Sequence, residues 1–169
     1  MRNPRNSQTP QSSTNPGAFT LVELLVVVVI MAVTGAMIVP MLAGAGEVEA
    51  LSAARVIATD LQYAQSVAIT EQTPITVQFY TNTDRYSVSN TSGLLKHPMT
   101  RKDYLVDFAT SEGFDQCDLA SANFEGDQTV VFDELGAPDA GGSVTVLGGS
   151  QTYRIDVSSV TGTVTVSAQ

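Results

Sequence analysis

The sequence predicts an α+β protein in which a long N-terminal helix packs on an antiparallel β-sheet domain. Three observations predict this fold class. An uncharged apolar run fills residues 24–43, apolar side chains then recur every three or four residues through 47–70, and from Thr73 the apolar period falls to two. Short strands that follow one another without intervening helices favour an antiparallel sheet.

The first half of the helix is long enough to cross a membrane. Residues 24–43 are twenty residues without a charge, interrupted only by one Thr, one Gly and one Pro, and about 20 apolar residues span a hydrocarbon core. Arg2 and Arg5 precede this run, and no acid occurs before Glu23. By the positive-inside tendency, we expect the N-terminus in the cytoplasm and the remainder of the chain exported.

Glu23 is the single acid at the front edge of the apolar run. An ionisable side chain costs about 2.5–3.5 kcal/mol at the centre of a bilayer and less near an interface, so such a group is by default a candidate for function. We therefore expect a partner charge that neutralises Glu23.

Three interpretations fit this N-terminus. It can be a plain transmembrane anchor, or it can be a secretory signal peptide cut at the small-x-small pattern of residues 43–45. Against the signal peptide, the apolar stretch exceeds the usual length of about 7–15 residues and begins with an acid. The third interpretation depends on the residues that immediately precede the run.

The segment Ala18-Phe19-Thr20-Leu21-Val22-Glu23 resembles the processing motif of type IV pilins and of the pseudopilins of type II secretion. The resemblance implies that a prepilin peptidase removes a leader, residues 1–18, on the cytoplasmic side of the apolar segment. Phe19 then becomes the first residue and is N-methylated, and Glu23 becomes the fifth. Pro40 falls at the twenty-second place, where the family commonly has a proline that kinks the helix.

The candidate processing site consists of Gly17, Ala18 and Phe19. The family usually has Gly immediately before the cut, with Lys or Arg before that Gly, whereas this chain has Pro16-Gly17-Ala18-Phe19. A cut after Gly17 would make Ala18 the first residue and Glu23 the sixth. We favour the cut after Ala18, and we keep the cut after Gly17 as the alternative.

The resemblance also implies how subunits assemble. The freed amine of Phe19 in one subunit would pair with the Glu23 carboxylate of its neighbour, because a buried charge is tolerable only when paired. Implied partners are the peptidase, other pseudopilins or pilins of the same filament, the inner-membrane assembly platform and the lipid bilayer. S-adenosylmethionine is the cosubstrate of the peptidase, and we expect no cofactor in this chain.

The composition is that of an acidic exported protein. Without Arg2 and Arg5, six basic and 17 acidic side chains remain, a net charge of about −11. We do not expect nucleic acid as a partner, because its binding depends on Lys and Arg that neutralise phosphates. The only basic cluster, Lys96, Arg101 and Lys102, is interrupted by His97 and Asp103 and reads as a solvated loop.

Enzymatic activity and a metal site are not expected. A nucleophilic triad needs a base near its nucleophile, and the single histidine, His97, lies in what reads as a surface loop. Asp133 and Glu134 are neighbours on an expected strand, so they should point to opposite faces. Cys117 and His97 are too few for zinc, which normally needs three or four ligands. The lone Cys117 is expected to be a buried or partly buried free thiol.

The second half of the helix, residues 47–70, is expected to cover one face of the sheet. Most of its charged and long polar side chains lie away from that face. Gly44 and Gly46 are expected to form a soft joint with the membrane half. The expected face consists of Val48, Leu51, Ala54, Ile57, Ala58, Leu61, Ala64, Gln65 and Ala68.

Residues 71–169 are expected to form the β-rich globular domain. A hairpin turns at residues 81–84, between alternating side chains at 75–79 and at 86–88. Residues 108–127 read as an acidic, irregular loop whose spacing matches no EF-hand, so we expect it to be solvated rather than to hold calcium. Further strands are expected at 104–109, 128–133, 143–147, 151–157 and 162–167.

The globular half resembles the GspH/FimT pseudopilin family. Residues 53–55 and 61–69, followed by Thr73-Pro74-Ile75-Thr76-Val77, look like that family's junction of helix and first strand, and residues 130–138, 153–157 and 162–164 look like its closing strands. The resemblance implies a pilin-like fold with a transmembrane or filament-core helix at 19–46.

The function that this resemblance implies is that of a minor pseudopilin of a type II secretion system. Such a subunit is single-pass in the inner membrane, with its globular domain in the periplasm, and it joins a short pseudopilus that drives protein export across the outer membrane. Two alternatives stay open: a minor pilin of a type IV pilus, serving adhesion, motility or DNA uptake, and a secreted or anchored soluble β domain.

Overall fold

A computed structural model describes residues 19–43 and 45–169, with side chains for residues 19–36 and 46–169. The chain divides into two compact units between Val39 and Pro40. The expected leader, residues 1–18, lies outside the described residues. The predicted fold class, a helix packed on antiparallel sheets, is confirmed.

Helix α1 runs from Leu21 to Ala43. All of its described side chains, residues 21–36, are exposed, and a helix that is apolar all round is normally covered by membrane or protein. Among the residues whose side chains are described, no helix has both the length and the apolar character needed to cross a membrane. The expected span of residues 24–43 includes 37–43, whose side chains lie outside that set.

Helix α2 runs from Ala45 to Glu71. Val48 was expected on its covered face, but this side chain is 67% exposed, and Leu51 is only partly buried. Val48 precedes the buried Ala50 by two residues, about 200° around a helix, and therefore points away from the sheets. The buried stripe consists mainly of small side chains: Ala50, Ala53, Ala54, Ile57, Ala58, Leu61, Ala64 and Ala68.

Nine strands lie in the described part of the chain, and all their pairings are antiparallel. They are β1 Ile75–Tyr80, β2 Arg85–Asn90, β3 Gly93–Leu94, β4 Leu105–Asp107, β5 Cys117–Phe124, β6 Thr129–Phe132, β7 Gly142–Gly148, β8 Gln151–Val157 and β9 Val164–Ala168. One sheet has the order β3-β2-β1-β6, with β4 also paired to β2, and the other has the order β5-β7-β8-β9. The expected turn at residues 81–84 is confirmed.

Strand β5 corrects the expectation of an irregular loop over residues 108–127. Its register shifts at a bulge between Leu119 and Ser121. The buried side chains are Cys117 and Leu119 before the bulge, and Ala122 and Phe124 after it. One extra residue reverses which face each following side chain occupies, so no continuous period of two is visible in the sequence.

The core lies where α2 packs against both sheets. Phe79 of β1 and Phe124 of β5 join the two sheets, with ring centroids 5.9 Å apart and nearly parallel planes. Asp84, in the turn between β1 and β2, adds a polar link, because its carboxylate accepts a hydrogen bond of 2.8 Å from the Leu119 N–H. Both contacts connect residues that are distant in the sequence.

Gly46 lies inside α2 and is buried, which corrects its expected role in a soft joint. A Cβ atom at Gly46 would lie 2.9 Å from the backbone N of Gly149, and one at Gly148 would lie 2.4 Å from the carbonyl oxygen of Gly46. Only glycine fits such a close backbone approach. The first turn of α2 therefore docks on the β7–β8 turn, and Gly44 lies outside the described residues.

Candidate assembly site

The candidate assembly site lies at the start of α1, where Thr20 caps the helix. The Glu23 N–H donates to the Thr20 carbonyl at 3.0 Å and to the Thr20 hydroxyl at 3.2 Å. The threonine hydroxyl thus adds a second acceptor for a backbone donor in the first turn, as is typical of a helix N-cap. Glu23 is therefore the third residue of the helix, and its side chain is exposed.

Local electrostatics explains part of the tolerance for this acid. A carboxylate in the first turn interacts favourably with the helix dipole, by about 0.3–1 kcal/mol. Among the described residues, the Glu23 carboxylate forms no salt bridge. Among the described residues, the helix terminus is therefore the positive group that lies next to this carboxylate.

Of the other predicted site residues, some lie within the described part of the chain and some lie outside it. Phe19 precedes α1 by two residues, and its ring is exposed. Pro40 lies within α1, but its side chain is outside the described set, so the predicted kink stays a prediction. Gly17 and Ala18 lie outside the described residues, and the cleavage site stays a prediction too.

The candidates for catalysis take structural roles in the globular unit. Cys117 is a buried free thiol, as predicted, and burial, assisted by Glu49, raises the pKa of this thiol to about 11. His97 accepts hydrogen bonds at Nδ1 from the Met99 and Thr100 N–H groups, at 3.2 and 3.3 Å. Its ring also packs on Tyr104 with centroids 4.7 Å apart. His97 therefore stabilises the conformation of its loop.

The expectation that Asp133 and Glu134 share a strand was wrong, because β6 ends at Phe132. Asp133 instead builds the turn after the strand, where its Oδ1 accepts hydrogen bonds from the Leu135 and Ala137 N–H groups. In the described chain, no group of three or more His, Cys, Asp or Glu side chains could hold a metal ion.

One buried polar cluster was missed by the sequence analysis. Asp60 of α2 is only 7% exposed, and its carboxylate accepts a hydrogen bond from the buried Tyr86 hydroxyl. Burial raises the pKa of Asp60, while the Tyr86 and Tyr104 hydroxyls oppose that rise. The available signal was the position of Asp60 between Ile57 and Leu61, on the face that was expected to be covered.

Comparison with known proteins identifies the family. The family model described as "Type II transport protein GspH" matches residues 53–162, about two thirds of the chain. The model described as "Prokaryotic N-terminal methylation motif" matches residues 14–39, which include Phe19 and Glu23. A comparison with curated proteins finds no match.

Solved structures share the fold at low sequence identity. The minor pseudopilin EpsH from the type 2 secretion system of Vibrio cholerae is 15% identical with a TM-score of 0.55, and the match covers 71% of this chain and 97% of that one. The type IV minor pilin FimU of Pseudomonas aeruginosa is 17% identical with a TM-score of 0.51, covering 73% and 94%. At these identities the likeness shows the fold alone. The two sequence matches agree with the observed fold, a helix packed against antiparallel sheets. This chain therefore belongs to the GspH family of pilin-like proteins.

Proposed function

We propose that this chain is a minor pseudopilin of a type II secretion system. It is anchored in the inner membrane by its N-terminal helix, carries its globular part in the periplasm, and joins a short pseudopilus that drives protein export across the outer membrane. The observation that carries the proposal is Glu23, a lone acid without an ion-pair partner among the described residues, in the first turn of an exposed apolar helix. Its role is assembly and contact, and we expect no catalysed reaction.

Processing precedes assembly in this proposal. Prepilin peptidase removes residues 1–18 by cutting after Ala18, with the bond after Gly17 as the alternative, and methylates the Phe19 amine with its own S-adenosylmethionine. Residues 19–46 then form the membrane and filament-core segment, residues 47–70 the amphipathic half of the helix, and residues 71–169 the periplasmic domain. The match of the methylation motif to residues 14–39 supports this order.

Subunit insertion would depend on a charge pair between neighbours. The Phe19 amine of one subunit meets the Glu23 carboxylate of the next, in surroundings made apolar by the exposed side chains of α1. Removing one partner of a buried ion pair typically costs about 3–5 kcal/mol. The pair therefore fixes the register of the subunit, because any displaced register leaves both charges buried and unpaired.

The nature of the N-terminus is the first test. Intact-mass and N-terminal peptide analysis of the protein from membranes of its native host should give a chain that begins at N-methylated Phe19. A start near Gly46 would mean a secreted soluble domain, and an intact Met1 or Arg2 would mean a simple anchored protein. Either outcome would contradict the proposal.

The charge pair is tested by replacing Glu23. Glu23→Gln should leave processing and membrane insertion intact and reduce incorporation into filaments by at least about 100-fold, as the loss of one partner of a buried pair implies. Glu23→Asp, which keeps the charge, is the matched control and should retain more incorporation than the Gln variant. Normal incorporation of Glu23→Gln would contradict the charge-pair mechanism.

Secretion and piliation must be separated by phenotype, because minor pseudopilins and minor pilins share this fold. Deletion in the native host should abolish secretion of type II substrates and leave twitching and pili unchanged, and the wild-type chain should restore secretion. Loss of pili with normal secretion would favour the minor-pilin alternative.

A further inference from the structure

A groove of about 590 Å³ opens on the globular unit, and all its lining residues belong to α2 or to the segment of residues 97–114. Apolar side chains line much of it, including Val56, Leu105 and Phe114. At its lip, Met99 is 85% exposed, and Leu105 is 47% exposed. Two large apolar side chains that reach solvent beside an apolar groove indicate a surface that another molecule covers.

The loop that carries Met99 is held in one conformation. The His97 carbonyl accepts a hydrogen bond from the Arg101 N–H at 2.9 Å, and the His97 N–H donates to the Lys102 carbonyl at 2.9 Å. The Nδ1 atom of His97 also accepts from the Met99 N–H, and its ring packs on Tyr104. Arg101 has a φ of 60°, in the left-handed region that few non-glycine residues adopt. A loop fixed in advance loses little conformational entropy when it binds a partner.

Positive charge without a partner collects at this groove. Of the six basic side chains in the described residues, three form ion pairs: Arg85, Lys96 and Arg154. The other three form none in the described chain: Arg55, Arg101 and Lys102. Arg55 and Lys102 line the groove, and Arg101 precedes Lys102. These cations stand out in a chain whose net charge is −9.

Two acids line the groove, and both already have partners. Asp103 pairs with Lys96, and the Asp60 carboxylate accepts a hydrogen bond from the Tyr86 hydroxyl. Neither carboxylate forms a salt bridge with the unpaired cations among the described residues. The groove therefore presents apolar walls and a positively charged rim, and this combination suits an apolar side chain that has acids on both sides.

We propose that the groove binds an acidic segment with an apolar side chain at its centre, and that this segment belongs to a different subunit of the same filament. The apolar side chain packs among Met99, Leu105 and Phe114, and the acids beside it face Arg55 and Lys102. The inference rests on the proposed function, because a minor subunit is surrounded by subunits other than copies of itself. Complementary charge also favours this place on an otherwise acidic chain, since an acidic partner is repelled elsewhere.

A fluorescent peptide tests the chemistry of the groove. The chain contains no tryptophan, so a tryptophan in the peptide reports its own surroundings without background. The peptide is acetylated and amidated Asp-Glu-Trp-Leu-Glu-Asp, added to the full chain in mild detergent. Burial of one apolar side chain and formation of two exposed ion pairs predict half-saturation on the order of 1 mM. We expect a blue shift of the emission, and none for the same peptide with Lys in place of every acid.

Paired variants test whether the peptide binds in this groove. Met99→Ser should weaken binding about tenfold, because it removes an apolar contact, whereas Leu94→Ser changes an exposed leucine outside the groove and is the matched control. Arg55→Gln and Lys102→Gln should each weaken binding about two- to fivefold, the range expected for an exposed ion pair. Arg154→Gln, which removes a cation outside the groove, should not. Equal thermal unfolding midpoints for all variants would exclude misfolding, and the loss in Met99→Ser would exclude binding of the peptide to detergent micelles.

Photo-cross-linking in membranes of the native host tests the identity of the partner. Photoreactive benzoylphenylalanine replaces Met99 in the full chain and, in the control strain, Leu94. Light should join position 99 to a different protein whose own N-terminus carries a methylation motif. The cross-linked peptide, identified by mass spectrometry, should have acids on both sides of an apolar residue. Arg55→Glu combined with Lys102→Glu should lower the yield at least about fivefold, because both ion pairs become repulsive.

Four results would overturn the proposal. Two concern the peptide: equal blue shifts with the acidic and the Lys-containing peptide, or no effect of Met99→Ser. The other two concern the partner: a yield at position 99 no higher than at Leu94, or a cross-link only to a second copy or to a secreted protein. The peptide assay uses no residue of α1 and does not depend on processing. Failure of this contact is therefore distinguishable from failure of the proposed function, which a chain not processed at Phe19 would show.

Discussion

Tyr86→Phe tests the buried polar cluster that fastens α2 to the first sheet. Tyr86 lies on β2 and is fully buried, and its hydroxyl donates to the Asp60 carboxylate of α2. Phenylalanine keeps the ring and its packing, with centroids 5.7 Å from Phe79 and 6.3 Å from Phe108. The substitution therefore removes one hydrogen bond and leaves no cavity.

The expected loss follows from the charge of the acceptor. A hydrogen bond to a charged group contributes about 1.5–3 kcal/mol to stability. The Tyr104 hydroxyl also lowers the pKa of Asp60, so the carboxylate keeps part of its stabilisation when the Tyr86 hydroxyl is removed. We therefore expect the free energy of unfolding to fall by about 2 kcal/mol at pH 7, near the middle of that range.

Urea unfolding of the full chain in mild detergent, followed by near-UV circular dichroism of the tyrosines, measures this loss. Tyr80→Phe is the matched control, since the Tyr80 hydroxyl bonds only to the Gln78 side chain in an exposed pair. We expect the control to change stability by less than about 0.5 kcal/mol. An equal effect of both substitutions, or no coupling between Tyr86→Phe and Asp60→Asn in a double-mutant cycle, would refute this reasoning.

Three further predictions concern the globular unit. Burial raises the pKa of Asp60 above its usual 3.8, so the folded chain holds this proton more tightly than the unfolded chain does. The free energy of unfolding, measured by urea titration, should therefore fall as the pH rises from 3.8 through the raised pKa. Asp60→Asn should remove this fall. If the wild-type chain and Asp60→Asn gave parallel profiles of stability against pH, the prediction would be contradicted. Burial raises the pKa of the Cys117 thiol from 9.0 to about 11. Because the thiolate is the reactive form, Cys117 should react with iodoacetamide at pH 8 about 100-fold more slowly in the folded chain than in urea. Equal rates in the two states would show an accessible thiol. Gly148→Ala would place a Cβ 2.4 Å from the Gly46 carbonyl oxygen and should lower the free energy of unfolding by about 1–3 kcal/mol in the same urea assay; unchanged stability would mean that α2 can shift from the β7–β8 turn.

The features predictable from the sequence are those encoded by neighbouring residues. The apolar run of α1 is visible because residues 24–43 are contiguous, and β8 was predicted at its observed bounds because its alternation is unbroken. Periodicity depends only on local backbone geometry, so it can be evaluated without knowledge of the partner strands.

The tertiary structure decided which side of each helix or strand is buried and which other elements it contacts. The pattern of α2 is compatible with several rotations of the helix, and only packing of its alanines against both sheets turned Val48 outward. The bulge in β5 inverted the alternation that would have revealed the strand. A sequence period defines a face, but the identity of that face depends on contacts between distant residues.

The candidate surfaces divide in the same way. The methylation motif, the family and the role proposed for Glu23 could be inferred from contiguous residues. The Asp60–Tyr86 pair, separated by 26 residues, and the groove between α2 and the 97–114 segment exist only after folding. Local patterns determine which elements form, whereas burial, charge balance and surface shape depend on long-range contacts, and in this chain only the tertiary structure established those.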